Sequence, residues 1–196
     1  MKRVFDLIFS LFGIAVLLPV YLSIALLISL DSKGGVIYRQ ERTGKYGKTF
    51  RVLKFRTMRP DSFTKGALTV GSRDPRITNI GYYLRKYKLD ELPQLFNVLL
   101  GDMSFVGPRP EVKKYTDLYT EKQRQVLQVR PGITDYASIK FRNENDLLSA
   151  SEDPEKLYIE EIMPEKLHLN LLYINDNNVF KDIRIIFDTL QAIIKN

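Results

Sequence analysis

Asp90 and Glu91 stand side by side in LDELPQ, and Pro93 follows two residues later. Arg73, Arg76, Arg85, Lys86 and Lys88 precede them, and Arg109 follows between two prolines in GPRP. Adjacent carboxylates with few nitrogen or sulfur ligands favour magnesium or manganese over zinc. Magnesium is commonly held by one or two carboxylates together with substrate phosphates, which gives the neighbouring cations a purpose. An ionised aspartate is also a nucleophile, and its attack on phosphorus would form an acyl phosphate. The structural alternative is plain: acidic pairs favour the first turn of a helix through the backbone dipole. Lys54 and Arg56, in KFRTM, have the same two readings. They either alternate outward from a strand whose Leu53 and Phe55 face the core, or they meet phosphates. Prolines on both sides of Arg109 fix its backbone, which suits an arginine that must meet an oxyanion.

The rest of the composition narrows the chemistry. There is no cysteine and one histidine, His168. Disulfides, thiolate nucleophiles and multi-histidine metal sites are therefore excluded. His168 alternates with leucines in EKLHLNLL and reads as a structural residue beside the core. The net charge of +7 points to an anionic partner: nucleic acid, an acidic membrane surface or a phosphorylated substrate. A chain of 196 residues suits one compact domain with an appendage.

The elements that must position these groups can be read from periodicity and turn residues. Val36 to Gln40 and Thr49 to Phe55 are strand-like around a Gly44 to Gly47 turn, which predicts a β-hairpin. RPDSFTKGALTVGSRDPR reads as a loop. A helix is expected from about Thr78 to Tyr87 and another from about Asp90 to Leu100, with Pro93 in its first turn and Gly101 ending it. GDMSFVGPRPE reads as a tight loop, EVKKYTDLYTEKQRQVLQV as an amphipathic helix, and RPGITDYAS as a turn entering a short strand. Two helices opened by prolines follow. Val179, Ile183, Ile186, Leu190 and Ile194 then recur at helical spacing, with Lys181 and Arg184 on the polar face. That last helix would either pack in the core or rest at a membrane interface. The fold class is α+β, mostly helical with a small sheet.

Val4 to Leu30 carries one formal charge, Asp6, near its start. Roughly 20 apolar residues suffice to cross a bilayer, so a kinked single span is one reading. Pro19 lies near the middle and bends or breaks a helix. Lys2 and Arg3 precede the segment, and Lys33, Arg39, Arg42 and Lys45 follow it. Positive charge at both ends favours both on the cytoplasmic side, which a re-entrant helix-break-helix satisfies. Arg3 and Asp6, one turn apart, are expected to pair.

LDELPQLFNVLLGDMSFVGPRPE resembles the signature of the bacterial sugar transferases, the small monotopic phosphoglycosyl transferases. KRVFD, the apolar segment with its central proline, QERTGKYGKTFRVLKFRTM, RDPRITNIGYYLRK, RPGIT and FRN extend the resemblance over essentially the whole chain. It implies transfer of a sugar-1-phosphate from a UDP-sugar to polyprenyl (undecaprenyl) phosphate, with release of UMP, as a membrane step of glycoconjugate assembly. It implies residues 1–32 as a membrane hairpin broken at Pro19, and residues 33–196 as a catalytic domain. It also implies Mg2+, and a site at the cytoplasmic face of the bacterial inner membrane. Asp90 would be the nucleophile, and Glu91 would hold the metal with it or manage the acceptor. Lys54, Arg56, Arg85, Arg109 and Arg142 match basic positions expected near phosphates. Two departures stand out: Asp135-Tyr-Ala-Ser138 where many members have Gly-Trp-Ala-Gln, and Asn170 where many have an aspartate, so that either the site works without a third carboxylate or Asp176 or Asp135 replaces it. The donor, the acceptor and membrane lipid are the expected partners, and nucleic acid is not. Competing readings are a non-catalytic module on acidic lipid or nucleic acid, and a UDP-sugar hydrolase.

Overall fold

The computed structural model describes residues 2–59 and 74–194. Most of the loop expected between Met58 and Ile77, Arg73 included, lies outside them. The chain is mostly helical, with two small two-stranded sheets. It opens with α1, Lys2–Asp31, an unbroken helical run through Pro19. Its length and hydropathy would allow it to cross a membrane.

The way α1 is attached matters more than its composition. At its start, Arg3 donates to the carbonyls of Val98 and Leu99 at 2.6 and 3.0 Å. Asp6 does not pair with Arg3; it is buried and accepts from Ser104 Oγ and Phe105 N at 3.1 and 3.2 Å. A free backbone carbonyl and a free strand N–H are better partners here, because each ionic side chain satisfies a group that burial would otherwise orphan. In the middle, Tyr21 donates to the Leu92 carbonyl at 2.6 Å. At the end, Asp31 Oδ2 accepts from Ile80 N at 3.2 Å. Start, middle and end of a helix about 45 Å long are thus bonded to one body.

The predicted hairpin is present as β1, Ile37–Thr43, and β2, Thr49–Phe55, antiparallel with Ile37 opposite Phe55 and Thr43 opposite Thr49. Then come α2, Asn79–Lys86, and α3, Gln94–Leu100. The presumed tight loop holds a strand, β3 (Ser104–Val106), which pairs in parallel with β4 (Gly132–Thr134). Between these strands the expected single amphipathic helix is broken into α4, Lys113–Thr116, and α5, Glu121–Arg124. Thr120 starts the second by a capping box with Gln123, which satisfies the first backbone N–H groups of the new helix. The C-terminal part comprises α6 (Tyr136–Lys140), α7 (Glu144–Ser149), α8 (Pro154–Leu157), α9 (Met163–Asn175) and α10 (Val179–Ile194). A π-turn, Tyr158–Ile162, joins α8 directly to α9. His168, on α9, is exposed rather than beside the core.

The core is divided. Tyr21, Ile24 and Ile28 of α1 pack with Phe55 and Leu84. Val52, Val98 and Met103 fill the space under the hairpin. Tyr115, Tyr158, Leu148 and Leu167 anchor the C-terminal helices. Val106, Tyr173 and Ile185 hold α10 to β3. The periodic stripe of α10 supplies only part of that contact: Ile186 packs against the cluster, whereas Ile183, Leu190 and Ile194 are exposed, and Asp182 and Ile185 face the body instead.

Candidate active site

Two close backbone approaches build the site. The side chain of Thr78 caps α2, accepting from Gly81 N at 3.0 Å. A Cβ on Gly81 would fall 2.2 Å from the Thr57 carbonyl oxygen, so only glycine lets α2 abut the end of β2. That contact sets Arg85 Nε 2.9 Å from Thr57 Oγ1. After α2, Lys88 takes a left-handed conformation (φ 56°) and the chain enters a 3-10 turn, Leu89–Glu91. Asp90 therefore precedes α3 rather than starting a helix that runs to Leu100. Pro93 has no N–H to close an α-helical bond onto Leu89, whose carbonyl takes Leu92 N at 3.3 Å instead.

The second approach joins β3 to β4. A Cβ on Gly132 would lie 2.1 Å from Gly107 N, so the two strands touch backbone to backbone. Just beyond, Asp135, fully buried, caps α6 and accepts from Arg109 N at 3.1 Å. Arg109 is thereby aimed across at the 3-10 turn. Its guanidinium forks onto both carboxylate oxygens of Glu91, with Nη1 to Oε2 at 3.1 Å, and donates to the Ile133 carbonyl at 3.2 Å. From β2, Lys54 Nζ lies 3.3 Å from Glu91 Oε1.

The two carboxylates end in opposite electrostatic states. Burial alone would raise Glu91, but Arg109 and then Lys54 outweigh it and hold the carboxyl far below the usual range. Asp90 is raised, first by burial and then by the neighbouring Glu91 charge, against the pull of Lys54, Arg85 and Lys88. No described residue donates a hydrogen bond to the Asp90 carboxylate. Burial lowers Lys54 and Arg85, and Glu91 raises Arg109.

Asp90, Glu91, Lys54, Arg85, Arg109 and Arg142 all line one cavity of about 790 Å³. Arg142 sits at its far side, where Nη1 donates to the Ala192 carbonyl of α10 at 3.4 Å. Arg56 does not join them. It is buried, and its guanidinium donates to the carbonyls of Ser32, Lys33 and Gly35 just after α1. The strand ends at Phe55, so the outward alternation expected of Lys54 and Arg56 stops one residue short of Arg56. Neither proposed substitute for the third carboxylate reaches the cavity: Asp135 is spent on backbone N–H groups, and Asp176 pairs with Lys181. Asn170 is buried, lines a small cavity that Arg109 also lines, and its Oδ1 has no partner among the described residues.

Sequence reasoning missed Thr57, Glu111 and Tyr158, and it offered Asp135 as a replacement carboxylate rather than as the cap that holds Arg109. Asp135 carried a legible signal, a cap residue three positions before Ser138. Glu111 and Tyr158 carried none, being 47 positions apart yet hydrogen-bonded side chain to side chain.

The donor set fits a hard cation. Among the described residues no group of three or more acidic or histidine side chains converges on one point. Mg2+ needs only one or two protein carboxylates when substrate phosphates complete its shell. Asp90, to which no described residue donates a hydrogen bond, suits that need, and Glu91 beside it would join only by loosening its contacts with Arg109 and Lys54.

A family described as bacterial sugar transferase matches residues 1–196. A Bacillus subtilis protein, named provisionally as an undecaprenyl-phosphate N-acetylgalactosaminyl 1-phosphate transferase, is 48% identical over 68% of this chain and 70% of its own length. The UDP-glucose:undecaprenyl-phosphate glucose-1-phosphate transferase of Escherichia coli is 37% identical over 97% of this chain but only 39% of its own. The exopolysaccharide production protein PSS of Rhizobium leguminosarum bv. phaseoli is 40% identical over 98% of this chain and 94% of its own.

Proposed function

The chain belongs to the bacterial sugar transferase family, and from that premise we propose that it transfers a sugar-1-phosphate from a UDP-sugar to polyprenyl phosphate. One observation carries the reading: a buried carboxylate, Asp90, without hydrogen bonds from described residues, faces a cavity whose other charged groups are mainly cations. A carboxylate that is desolvated and uncommitted is a better nucleophile than one held in an ion pair. Its neighbour Glu91 is committed to Arg109 and Lys54.

An Asp90 oxygen attacks the β-phosphorus of the UDP-sugar. The bond from that phosphorus to the bridging oxygen breaks, and UMP leaves with the electron pair. A phosphosugar ester on Asp90 remains. A phosphate oxygen of the polyprenyl phosphate then attacks the same phosphorus and restores the free carboxylate. Lys54 and Arg85 neutralise the charge that builds on the phosphoryl oxygens, and Glu91 keeps Arg109 aimed along the cavity wall. Mg2+, held by Asp90 and Glu91, would supply further neutralisation of the diphosphate.

The attachment of α1 supports a membrane association from one face. A helix bonded to the same body at start, middle and end does not place its ends on opposite sides of a bilayer. We read residues 1–32 as a one-leaflet anchor that keeps both ends on one face, and residues 33–196 as the catalytic domain at the cytoplasmic face. A re-entrant form of the anchor requires α1, continuous through Pro19 here, to bend at that residue in the bilayer. The test is UMP release from a panel of UDP-sugars in the presence of undecaprenyl phosphate. A sugar-1-phosphate adduct on Asp90, seen by mass spectrometry after rapid quenching, is expected for the accepted donor. Turnover by Asp90→Asn at the wild-type rate would refute the covalent route. Cysteines placed at Lys2 and Lys33 should both react with an impermeant reagent from the cytoplasmic side.

A further inference from the structure

Helix α10 carries an apolar surface that the body of the protein uses at one edge, where Ile186 packs against the Val106, Tyr173 and Ile185 cluster, and leaves largely uncovered elsewhere. At about 100° per residue, Phe180, Phe187, Ile194, Ile183, Leu190, Ile186 and Ile193 fall in that angular order along one continuous arc of roughly 140°. The charged residues Lys181, Arg184 and Asp188 lie on the opposite side of the helix. Asp182, Ile185 and Thr189 form the attached face: Ile185 is buried against β3, and Thr189 Oγ1 lies 2.7 Å from Thr134 Oγ1 of β4.

The two ends of the arc have different surroundings. Phe180 and Ile194 are among the most exposed apolar residues described, at 85% and 82%. At the other end Ile186 and Ile193 line the cavity that holds Asp90. Leu190 lies between and belongs to both, since it lines the cavity and is still half exposed. The connection to the reacting end is short. Thr134, bonded to Thr189, follows Ile133, whose carbonyl accepts from Arg109, and Arg109 holds Glu91. The start of α10 is tied to the start of α1 by Lys2, which bonds Asp182 and lies 3.1 Å from Tyr173 OH. Both helices thus belong to one body, and each leaves apolar side chains exposed: Val4, Ile8 and Leu11 on α1, Phe180, Phe187 and Ile194 on α10.

We propose that this arc is the lane of the acceptor's hydrocarbon chain: the isoprenoid tail of polyprenyl phosphate lies along Ile186, Leu190 and Ile193, and its phosphate reaches the Asp90 end of the cavity. The proposal rests on the transferase reading above. The occupant follows from the continuity of the surface. A water-soluble ligand would gain nothing from an uncharged arc, whereas a lipid tail passes along it from the exposed side chains to the cavity without crossing a polar barrier. Nucleotide and sugar are left to the cationic side, where Lys54 and Arg85 stand.

The test separates the two substrates. In Ile186→Ser/Leu190→Ser/Ile193→Ser the KM for undecaprenyl phosphate should rise roughly tenfold or more, as expected when apolar contact area is lost. The KM for the UDP-sugar, and the burst of UMP released before acceptor is added, should stay within about twofold. That burst also reports that the variant is folded. Arg184→Ala, on the charged side, should leave the acceptor KM alone. An unchanged acceptor KM in the triple variant, or an equal rise for both substrates, overturns the lane. A second measurement does not depend on turnover. Undecaprenyl phosphate with a photoreactive diazirine on its isoprenoid chain should label the peptide from Ile185 onward, and labelling confined to other peptides would sink the idea. Should the wild type release no UMP from any donor yet take the label on α10, the transferase reading fails and the lipid lane stands.

Discussion

Two buried carboxylate clusters share the walls of one cavity and have been finished differently. Glu111 accepts from Arg42 Nη1 at 2.9 Å, from Val112 N at 2.8 Å and from Tyr158 OH. It joins β1 to the π-turn after α8, with both carboxylate oxygens occupied. Burial and then Glu111 push the Tyr158 hydroxyl far above its ordinary value, so it stays a donor. In the Asp90–Glu91 cluster, Glu91 is similarly saturated, but Asp90 has cations nearby and no hydrogen bond from described residues. A satisfied buried charge is a joint, while an unsatisfied one costs stability and is kept where reactivity needs it.

The comparison is broken or sharpened by mutation. The largest effect is expected for Asp90→Asn. UMP release should fall by at least about 10³-fold, as when a nucleophile is removed. The unfolding midpoint should hold or rise, because a carboxylate whose pKa is raised by burial destabilises the fold when ionised. A fall in that midpoint, measured by calorimetry, would mean Asp90 is a joint after all. Next, Arg109→Ala leaves Glu91 charged and largely screened from water, with Lys54 as its remaining ion-pair partner among the described residues. We expect a loss of roughly 3–5 kcal/mol in urea unfolding, the cost of breaking a buried pair from one side. A loss below 1 kcal/mol would show that the pair is solvated.

Tyr158→Phe removes one hydrogen bond from the Glu111 cluster. It should cost about 1–3 kcal/mol and change UMP release less than about tenfold, since that cluster is a joint. A catalytic collapse with stability intact would reverse the two assignments. The smallest effect is on pH. The raised Asp90 pKa places the acid limb of single-turnover UMP release above the ordinary carboxylate range, with activity lost as pH falls through it. Lys54→Met removes a charge that lowers Asp90, so the limb should move to higher pH; a limb that stays put would contradict the coupling.

Much of this was legible in the residues. The hairpin followed from alternation around a glycine turn, and its register needs no distant partner. Asp90, Glu91 and Arg109 were recognisable because their types, close to prolines, suit phosphate chemistry, whereas Arg85 and the choice of Lys54 as a phosphate ligand came through the family resemblance. Arg56 was legible as a cation but not in its direction. Its place under the end of α1 depends on where Ser32 to Gly35 turn back, 21 to 24 residues away. The apolar stripe of α10 was also legible, but not which side of it meets the protein.

Covalent order therefore determined the long apolar first helix, the hairpin, the caps at Thr78 and Asp135 and the acidic pair itself, since each depends on residues within a turn or two of one another. Tertiary contact decided the rest. Asp90 and Glu91 are chemically near twins at neighbouring positions, and only the arrival of Arg109 across the Gly107–Gly132 contact separates them. An ionisable group responds to every charge and every water molecule within a few ångströms. Those neighbours come from strands and helices that the chain brings together only when it is folded.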